Sequence, residues 1–312
     1  MGDAITMMGV EFEAHELLIK SSTAMEKDVK LCRTMASTST SRQAHQQPIH
    51  HQEWKTNGWR ITVSTGPIAT EEEKDRLHRE LEKSSAPPPE QTYLANALRI
   101  EHEPSGWVLS FCAKDALKQS LADGNEPVKV AMASKWQADR ADALKGVRKI
   151  DYDWTYTTSY AGQWSNARNP DAVMAMRDSD KQLNVELLTD RTIPLVAYHE
   201  APLFVSELDD AGASELSVKV RVTERYWFVL MRFYLRVDDT LVRLRDVRWL
   251  NEEGGSGVLS ETRWHETSEA GVVAACGSDS EQAASLLMSM APSMVVRYRT
   301  ATCGMSTTSS DF

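Results

Sequence analysis

The chain has no excess of positive charge. Lysine and arginine together number 35, against 45 aspartates and glutamates, which gives a formal net charge of −10 at pH 7. A protein that binds nucleic acid generally needs a basic face to displace counterions from phosphates, and docking on an anionic lipid surface needs one too. The charge balance therefore disfavours nucleic-acid and membrane partners.

Cysteine is scarce, and long apolar runs are missing. The four cysteines lie far apart without a C-x-x-C pair, which disfavours a zinc knuckle and is typical of free thiols in a reducing compartment. No stretch approaches the roughly 20 apolar residues that span a bilayer. The N-terminal stretch MGDAITMMGVEFEAHELL carries acids where a secretory signal has basic residues. We expect a cytosolic location, with access to the nucleus.

The common catalytic and cofactor motifs are missing as well. The sequence has no G-x-G-x-x-G, no G-x-x-x-x-G-K-[ST] and no G-x-S-x-G, so it lacks the usual phosphate-binding loops and the nucleophile elbow. His102, His199 and His265 have no metal-binding spacing such as H-E-x-x-H. We expect no cofactor and no metal, which favours a binding or regulatory protein over an enzyme.

Composition divides the chain into an ordered centre and two polar ends. Residues 1–53 include the low-complexity run STSTSRQAHQQPIHHQ and are predicted to be a largely disordered arm. Residues 54–266 are predicted to form one folded domain. Residues 267–312 are rich in glycine and serine and are predicted to be a flexible tail, in which SDSEQAASLLMSM forms a short helix.

Strand periodicity dominates the centre. In LSVKVRV (216–222) and WFVLMRFYLRV (227–237), apolar side chains alternate with polar or mixed ones, and Asp238-Asp239 then stands where a two-residue hairpin turn belongs. Consecutive runs of this kind predict an antiparallel meander rather than alternating strands and helices. A capping box at Thr70 and Glu73 predicts one of a few surrounding helices. The expected fold class is α+β, a single domain of antiparallel β-sheets.

Two groups of carboxylates are the candidates for chemistry. Asp151 and Asp153 alternate onto one strand face, and Glu207, Asp209 and Asp210 lie together in one acidic segment. A carbohydrate-active or hydrolytic enzyme would need two such carboxyls about 5–10 Å apart across a cleft. Solvated loop acids are the simpler interpretation, and the enzyme is kept as the alternative function.

Aromatic residues are densest in DYDWTYTTSY (151–160). Interleaved side chains such as Trp154 and Tyr156 can stack nucleobases or sugars. The flanking aspartates and the net negative charge oppose a polyanion, so a buried structural strand is the preferred interpretation. A protein that binds single-stranded nucleic acid is the third hypothesis.

Several segments together resemble one known family. In order and spacing they are similar to the TIP41-like (TIPRL, TOR signalling pathway regulator-like) proteins, with DWTYTT and the LSVKVRV hairpin as the most specific marks. The resemblance covers residues 54–266. Its segments are GWRITVSTGPI (58–68), LRIEH (98–102), DAL (115–117), VKVA (128–131), DYDWTYTTSYAG (151–162), LFVSELDDAGASELSVKVRV (203–222) and WFVLMRFYLRVDDTLVRLRDVR (227–248).

The resemblance implies a non-catalytic regulator. Members of this family bind the catalytic subunits of type 2A protein phosphatases and of their type 4 and type 6 relatives. In fungi the family is linked to TOR signalling through a phosphatase-associated regulatory subunit. The implied fold is α+β with antiparallel sheets, and the implied binding site is a cleft that receives the acidic-aromatic C-terminal tail of the phosphatase.

Four positions match residues that line this cleft in the family. Asp115 falls on the aspartate of the DAL motif, and Leu244 falls on a methionine after the hairpin's LIR motif. Leu183 falls on an isoleucine before the central helical stretch, and Thr262 falls on a tyrosine of the last strand, where a ring and its stacking area are lost. The alternative roles are a helix-dipole contact for Asp115 and ordinary core packing for both leucines.

Overall fold

A computed structural model describes thirteen strands and five helices. The described residues are 48–81, 88–122, 158–208, 212–238, 240–254, 257–277, 280–290 and 297–303. The strands are β1 His50–Thr56, β2 Trp59–Thr65, β3 Gln91–Thr92, β4 Ala97–His102, β5 Trp107–Cys112, β6 Gln163–Asn166, β7 Met176–Asp178, β8 Leu195–Ser206, β9 Gly212–Thr223, β10 Tyr226–Val237, β11 Leu241–Glu252, β12 Gly257–Ser268 and β13 Arg297–Thr302. The helices are α1 Glu71–Glu80, α2 Ala113–Ala122, α3 Val185–Thr189, α4 Glu269–Cys276 and α5 Ser280–Ser289.

The strands form two sheets. The small sheet has the order β1-β2-β4-β5-β6, and the large sheet has the order β3-β8-β9-β10-β11-β12-β13-β7. Every pair among the described strands is antiparallel. The prediction of a single α+β domain built on antiparallel sheets is therefore confirmed.

The centre of the large sheet is the predicted meander of long strands. Alternation in β10 directs Trp227 and every second residue after it to one face of the large sheet, the inner face, where they join the core shared with the small sheet. The rings of Trp59 and Trp227 meet edge to face across the two sheets, with centroids 5.1 Å apart. The opposite face, the outer face, is covered by short helices.

The hairpin between β10 and β11 differs from the prediction in one respect. Val237 pairs directly with Leu241, so three residues connect the strands rather than two. The Thr240 N–H donates to the Val237 carbonyl oxygen at 3.0 Å and closes the turn. Asp239, half of the predicted turn, lies outside the described residues.

Strand pairing extends past both ends of the predicted domain. Strand β1 begins at His50, inside the predicted arm, because residues 50–56 pair along the whole of β2. At the other end β12 extends to Ser268, and β13 pairs with both β12 and β7. The segment 267–303 therefore contributes two helices and a strand to the fold where a flexible tail was expected.

Helix α1 begins where local capping predicts. The Thr70 hydroxyl accepts from the Glu73 N–H while the Glu73 carboxylate accepts from the Thr70 N–H, which confirms the capping box at the start of α1. Helix α5 confirms the short helix predicted in SDSEQAASLLMSM. None of the helices in the described part of the chain is long and apolar enough to cross a bilayer.

Candidate partner-binding site

Asp115 lies in the first turn of α2, which follows β5 without a connecting loop. A carboxylate in this position complements the partial positive charge at a helix N-terminus. Burial, the largest cause, and the neighbouring Asp115 charge raise the pKa of the Cys112 thiol to about 11. The thiol is therefore protonated at neutral pH, and it lies beside the half-buried carboxylate.

Tyr160 fixes the end of the aromatic segment beside this helix. Its side chain is 3% exposed, and its hydroxyl accepts from the Cys112 N–H at 3.2 Å. Burial, more than the nearby Asp115 charge, raises the pKa of Tyr160. Gly162 has φ +91, and a Cβ there would lie 2.7 Å from a Phe111 ring carbon, so the segment passes directly over this ring.

Arg245 joins the same segment to the large sheet. This buried guanidinium lies on the inner face of β11 and donates to two backbone carbonyl oxygens. One belongs to Tyr160, and the other belongs to Ser159, at 2.9 Å. The Trp249 indole N–H donates to the Ala161 carbonyl oxygen at 3.0 Å. Hydrogen bonds to a charged group each stabilise a fold by about 1.5–3 kcal/mol. We call Cys112, Asp115, Ser159, Tyr160 and Arg245 the junction, because they connect the two sheets.

Thr262 lies near the junction on the inner face of β12. It pairs with Val247, and the next inner-face pair along the two strands is Trp264 with Arg245. The Arg243 guanidinium lies 5.5 Å from the Trp264 ring centroid. Trp264, the half-buried neighbour of Thr262 on this face, is thus the strand partner of the junction residue Arg245.

The two predicted leucines lie on the other side of the large sheet. Leu183 is 8% exposed and packs with Leu187, Ile193 and the outer-face side chains at one end of β10. Leu244 is fully buried in a separate cluster beneath α4 and α5. The structure therefore places Thr262 on the face of the large sheet that packs against the small sheet, where Asp115 follows β5, and places Leu183 and Leu244 on the opposite face.

Paired charges separate these two apolar clusters on the outer face. The members are Glu200, Lys219, Arg232, Asp246, Arg248, Glu261 and Arg263, which we call the ionic band. Arg232 donates from Nε and Nη2 to the two oxygens of Asp246, each at 2.8 Å. The alternate residues of β10 that include Arg232 indicated in the sequence that this face carries charge. The sequence alone could not predict which residues pair in the ionic band or which residues Arg245 contacts, because these contacts join segments that are distant in the chain.

The candidates for chemistry are only partly described. Glu207 is exposed, and its backbone N–H donates to Glu90 Oε2 at 3.0 Å. The other carboxylates and the aromatic pair of the alternative hypotheses lie outside the described residues: Asp151, Asp153, Asp209, Asp210, Trp154 and Tyr156. Residues 158–162, the described end of the aromatic segment, are not in a strand; Ser159 contacts Gln119 of α2 and Arg245 of β11 instead. No group of three metal-ligating side chains occurs in the parts of the chain that are described.

Fold and junction together define a two-sheet α+β domain with a polar connection between its sheets. The chain belongs to the TIP41-like family, whose model matches residues 91–273. It is 35% identical over 212 residues to the TIP41-like protein of Rattus norvegicus, covering 68% of this chain and 75% of the relative. It is 33% identical over 226 residues to the TIP41-like protein of Arabidopsis thaliana, covering 68% and 76%.

A fungal relative has a more specific name. The chain is 32% identical over 223 residues to the type 2A phosphatase activator TIP41 of Saccharomyces cerevisiae, which covers 66% of this chain and 60% of the relative. The recognition of the family from sequence motifs is thereby confirmed.

Proposed function

We propose that this protein binds the catalytic subunits of type 2A-family serine/threonine phosphatases and regulates them through protein contacts, without chemistry of its own. Membership of the TIP41-like family supports the proposal, as do the names of two fungal relatives, both called type 2A phosphatase activators. The structural observation that carries it is the half-buried Asp115 carboxylate, placed beside a protonated thiol at the edge between two sheets.

Under this proposal the C-terminal tail of the phosphatase lies along the edge between the sheets. An extended peptide is commonly held in a bounded apolar groove with a few polar anchors. In this proposal Asp115 is the polar anchor on one side of the tail, and Thr262 and Trp264 contact its other side. The half-buried Trp264 ring offers stacking area to an aromatic tail residue, which offsets the ring that is lost at Thr262.

Leu183 and Leu244 have an indirect role in this arrangement. Both are buried on the outer face and support the strands from behind, as core residues do. The partners we propose are the type 2A, type 4 and type 6 catalytic subunits and the phosphatase-associated regulatory subunit of TOR signalling. The proposed location is the cytosol and nucleus.

Calorimetric titration of the full chain tests this function. The titrants are a type 2A catalytic subunit, whole and with its C-terminal tail deleted. The variants are Asp115→Leu at the junction and Asp75→Leu as a matched control on the exposed side of α1. We expect tail deletion and Asp115→Leu each to weaken binding at least tenfold, while Asp75→Leu leaves it unchanged.

The contrary outcomes are distinct. Absence of binding by the unmodified chain contradicts the function. Binding that is indifferent to the tail and to Asp115 keeps the function and contradicts the site. A large fall in the melting temperature of Asp115→Leu assigns this residue to structure through its contact with Cys112.

A further inference from the structure

Helix α5 covers one end of the outer face of the large sheet. Its apolar side consists of Ala283, Ala284 and Leu287, each 1% exposed, and it packs on Leu244 and Tyr234. Leu244 is fully buried in this cluster, which also includes Val272 of α4.

An acidic side chain adds an ionic contact to the apolar one. Glu281 Oε1 lies 3.0 Å from Lys219 Nζ, and Glu281 Oε2 lies 3.7 Å from Arg232 Nη1. The two cationic side chains are only 6% and 7% exposed. The sheet thus recognises a helix through one acid followed by apolar residues on the same side.

The sheet also pairs both cations without α5. Lys219 lies 3.0 Å from Glu200 Oε1, and Arg232 holds both oxygens of Asp246. Breaking a buried ion pair is strongly destabilising when it leaves a charge uncompensated. Because Lys219 and Arg232 keep carboxylate partners on the sheet, α5 can separate from it without leaving a buried cation unpaired.

The connection to α5 allows such a movement. Helix α4 ends at Cys276, and Gly277 follows with φ +63, a conformation that glycine adopts without strain. The match to the TIP41-like family ends at residue 273, so α5 lies beyond the matched part of the chain. The surface beneath it belongs to the matched strands β9, β10 and β11.

We propose that the outer face around Leu244, Lys219 and Arg232 is a docking surface for an acidic amphipathic helix of a partner protein, which α5 occupies in cis. A partner helix of this chemistry binds when α5 lifts from the sheet. The apparent affinity for the partner is then reduced by the fraction of molecules in which α5 remains bound. This inference goes beyond phosphatase binding at the junction and does not depend on it.

A peptide that reproduces α5 tests the surface directly. The probe is a fluorescein-labelled synthetic peptide of residues 278–291, titrated with the full chain and followed by fluorescence anisotropy. The variant Leu287→Asp places a charge in the apolar contact and releases α5 from the sheet. We expect this variant to bind the peptide at least tenfold more tightly than the unmodified chain.

Two controls distinguish specific binding of the peptide from non-specific binding. A peptide carrying Glu281→Lys should not bind the Leu287→Asp variant, since it repels Lys219. Adding Lys219→Met to this variant should weaken binding of the original peptide severalfold. Should Leu287→Asp fail to fold, Glu281→Lys in the full chain releases α5 while leaving its apolar residues unchanged.

Hydrogen exchange of the unmodified chain provides the second measurement. We expect the amides of α5 to exchange through a local opening, well before those of β10 and β11. The proposal is overturned if folded release variants do not bind the peptide, or if α5 exchanges only with the whole domain. Neither result bears on the titration with the phosphatase, so the two proposals can fail separately.

Discussion

The two faces of the large sheet differ in what covers them. On the inner face the β10 side chains Trp227, Val229, Met231, Phe233 and Leu235 are all fully buried against the small sheet. On the outer face the covering elements are short helices, and charged pairs lie between two apolar clusters. A whole sheet excludes water from every position, whereas short helices leave a band where only paired charges can be buried. The inner face therefore stabilises the fold, whereas the outer face can be covered by a helix, such as α5, that separates from the sheet.

The largest effect is expected from breaking the buried pair on the outer face. Asp246→Ala leaves the Arg232 guanidinium without its bidentate partner in a site where Asp246 is fully buried. Removing one member of a buried ion pair destabilises a protein by about 3–5 kcal/mol. Urea denaturation should show a loss of this size. Replacing both residues, by Arg232→Met with Asp246→Leu, should restore most of it; a double variant no better than the single one contradicts this account.

A matched pair of leucines sharpens the comparison of the two faces. Leu235→Ala opens a cavity on the inner face, and Leu230→Ala opens one on the outer face. Leucine-to-alanine changes in cores cost about 2–5 kcal/mol, depending on how far the surroundings collapse into the space. We expect Leu235→Ala near the upper limit, since two sheets hold the cavity open, and Leu230→Ala near the lower limit. Equal losses in urea denaturation would remove the distinction.

The smallest effect concerns pH. His265 is 1% exposed on the outer face, and burial, more than the neighbouring arginines, lowers its pKa below 6.5. Asp246 opposes that shift, while Arg263, Arg248 and Arg232 reinforce it. The unfolded chain therefore takes up the proton more readily than the folded one. The free energy of unfolding should be constant above about pH 6.5 and fall as the pH drops below it.

The pH dependence of His265 is checked by urea denaturation at pH 7.5 and 5.5. His265→Leu should retain more of its stability at the lower pH than the unmodified chain does. His199 is the corresponding histidine on the inner face, and burial lowers the pKa of its imidazole too. An unchanged pH dependence in His265→Leu would contradict the assignment.

Local sequence was a good guide to single elements. The alternation in β9 and β10 and the capping box at Thr70 concern neighbouring residues, so the sequence contains everything that decides them. Composition was a poorer guide at the ends of the domain. His50 and the polar segment around β13 look disordered alone, but they gain order from pairing with strands that are already in place.

The sequence by itself determined the family, through its motifs, and the fold class with its meander of long strands, because alternation and turns act over a few residues. Only the tertiary structure decided which predicted residues share a face. Arg245 bonds to Ser159 and Tyr160 across more than eighty residues of chain, and no local pattern encodes such a contact. The burial of Leu244 beneath α5 is of the same kind. Long-range packing brings a helix and a strand together, and it thereby decides which surfaces are available to a partner.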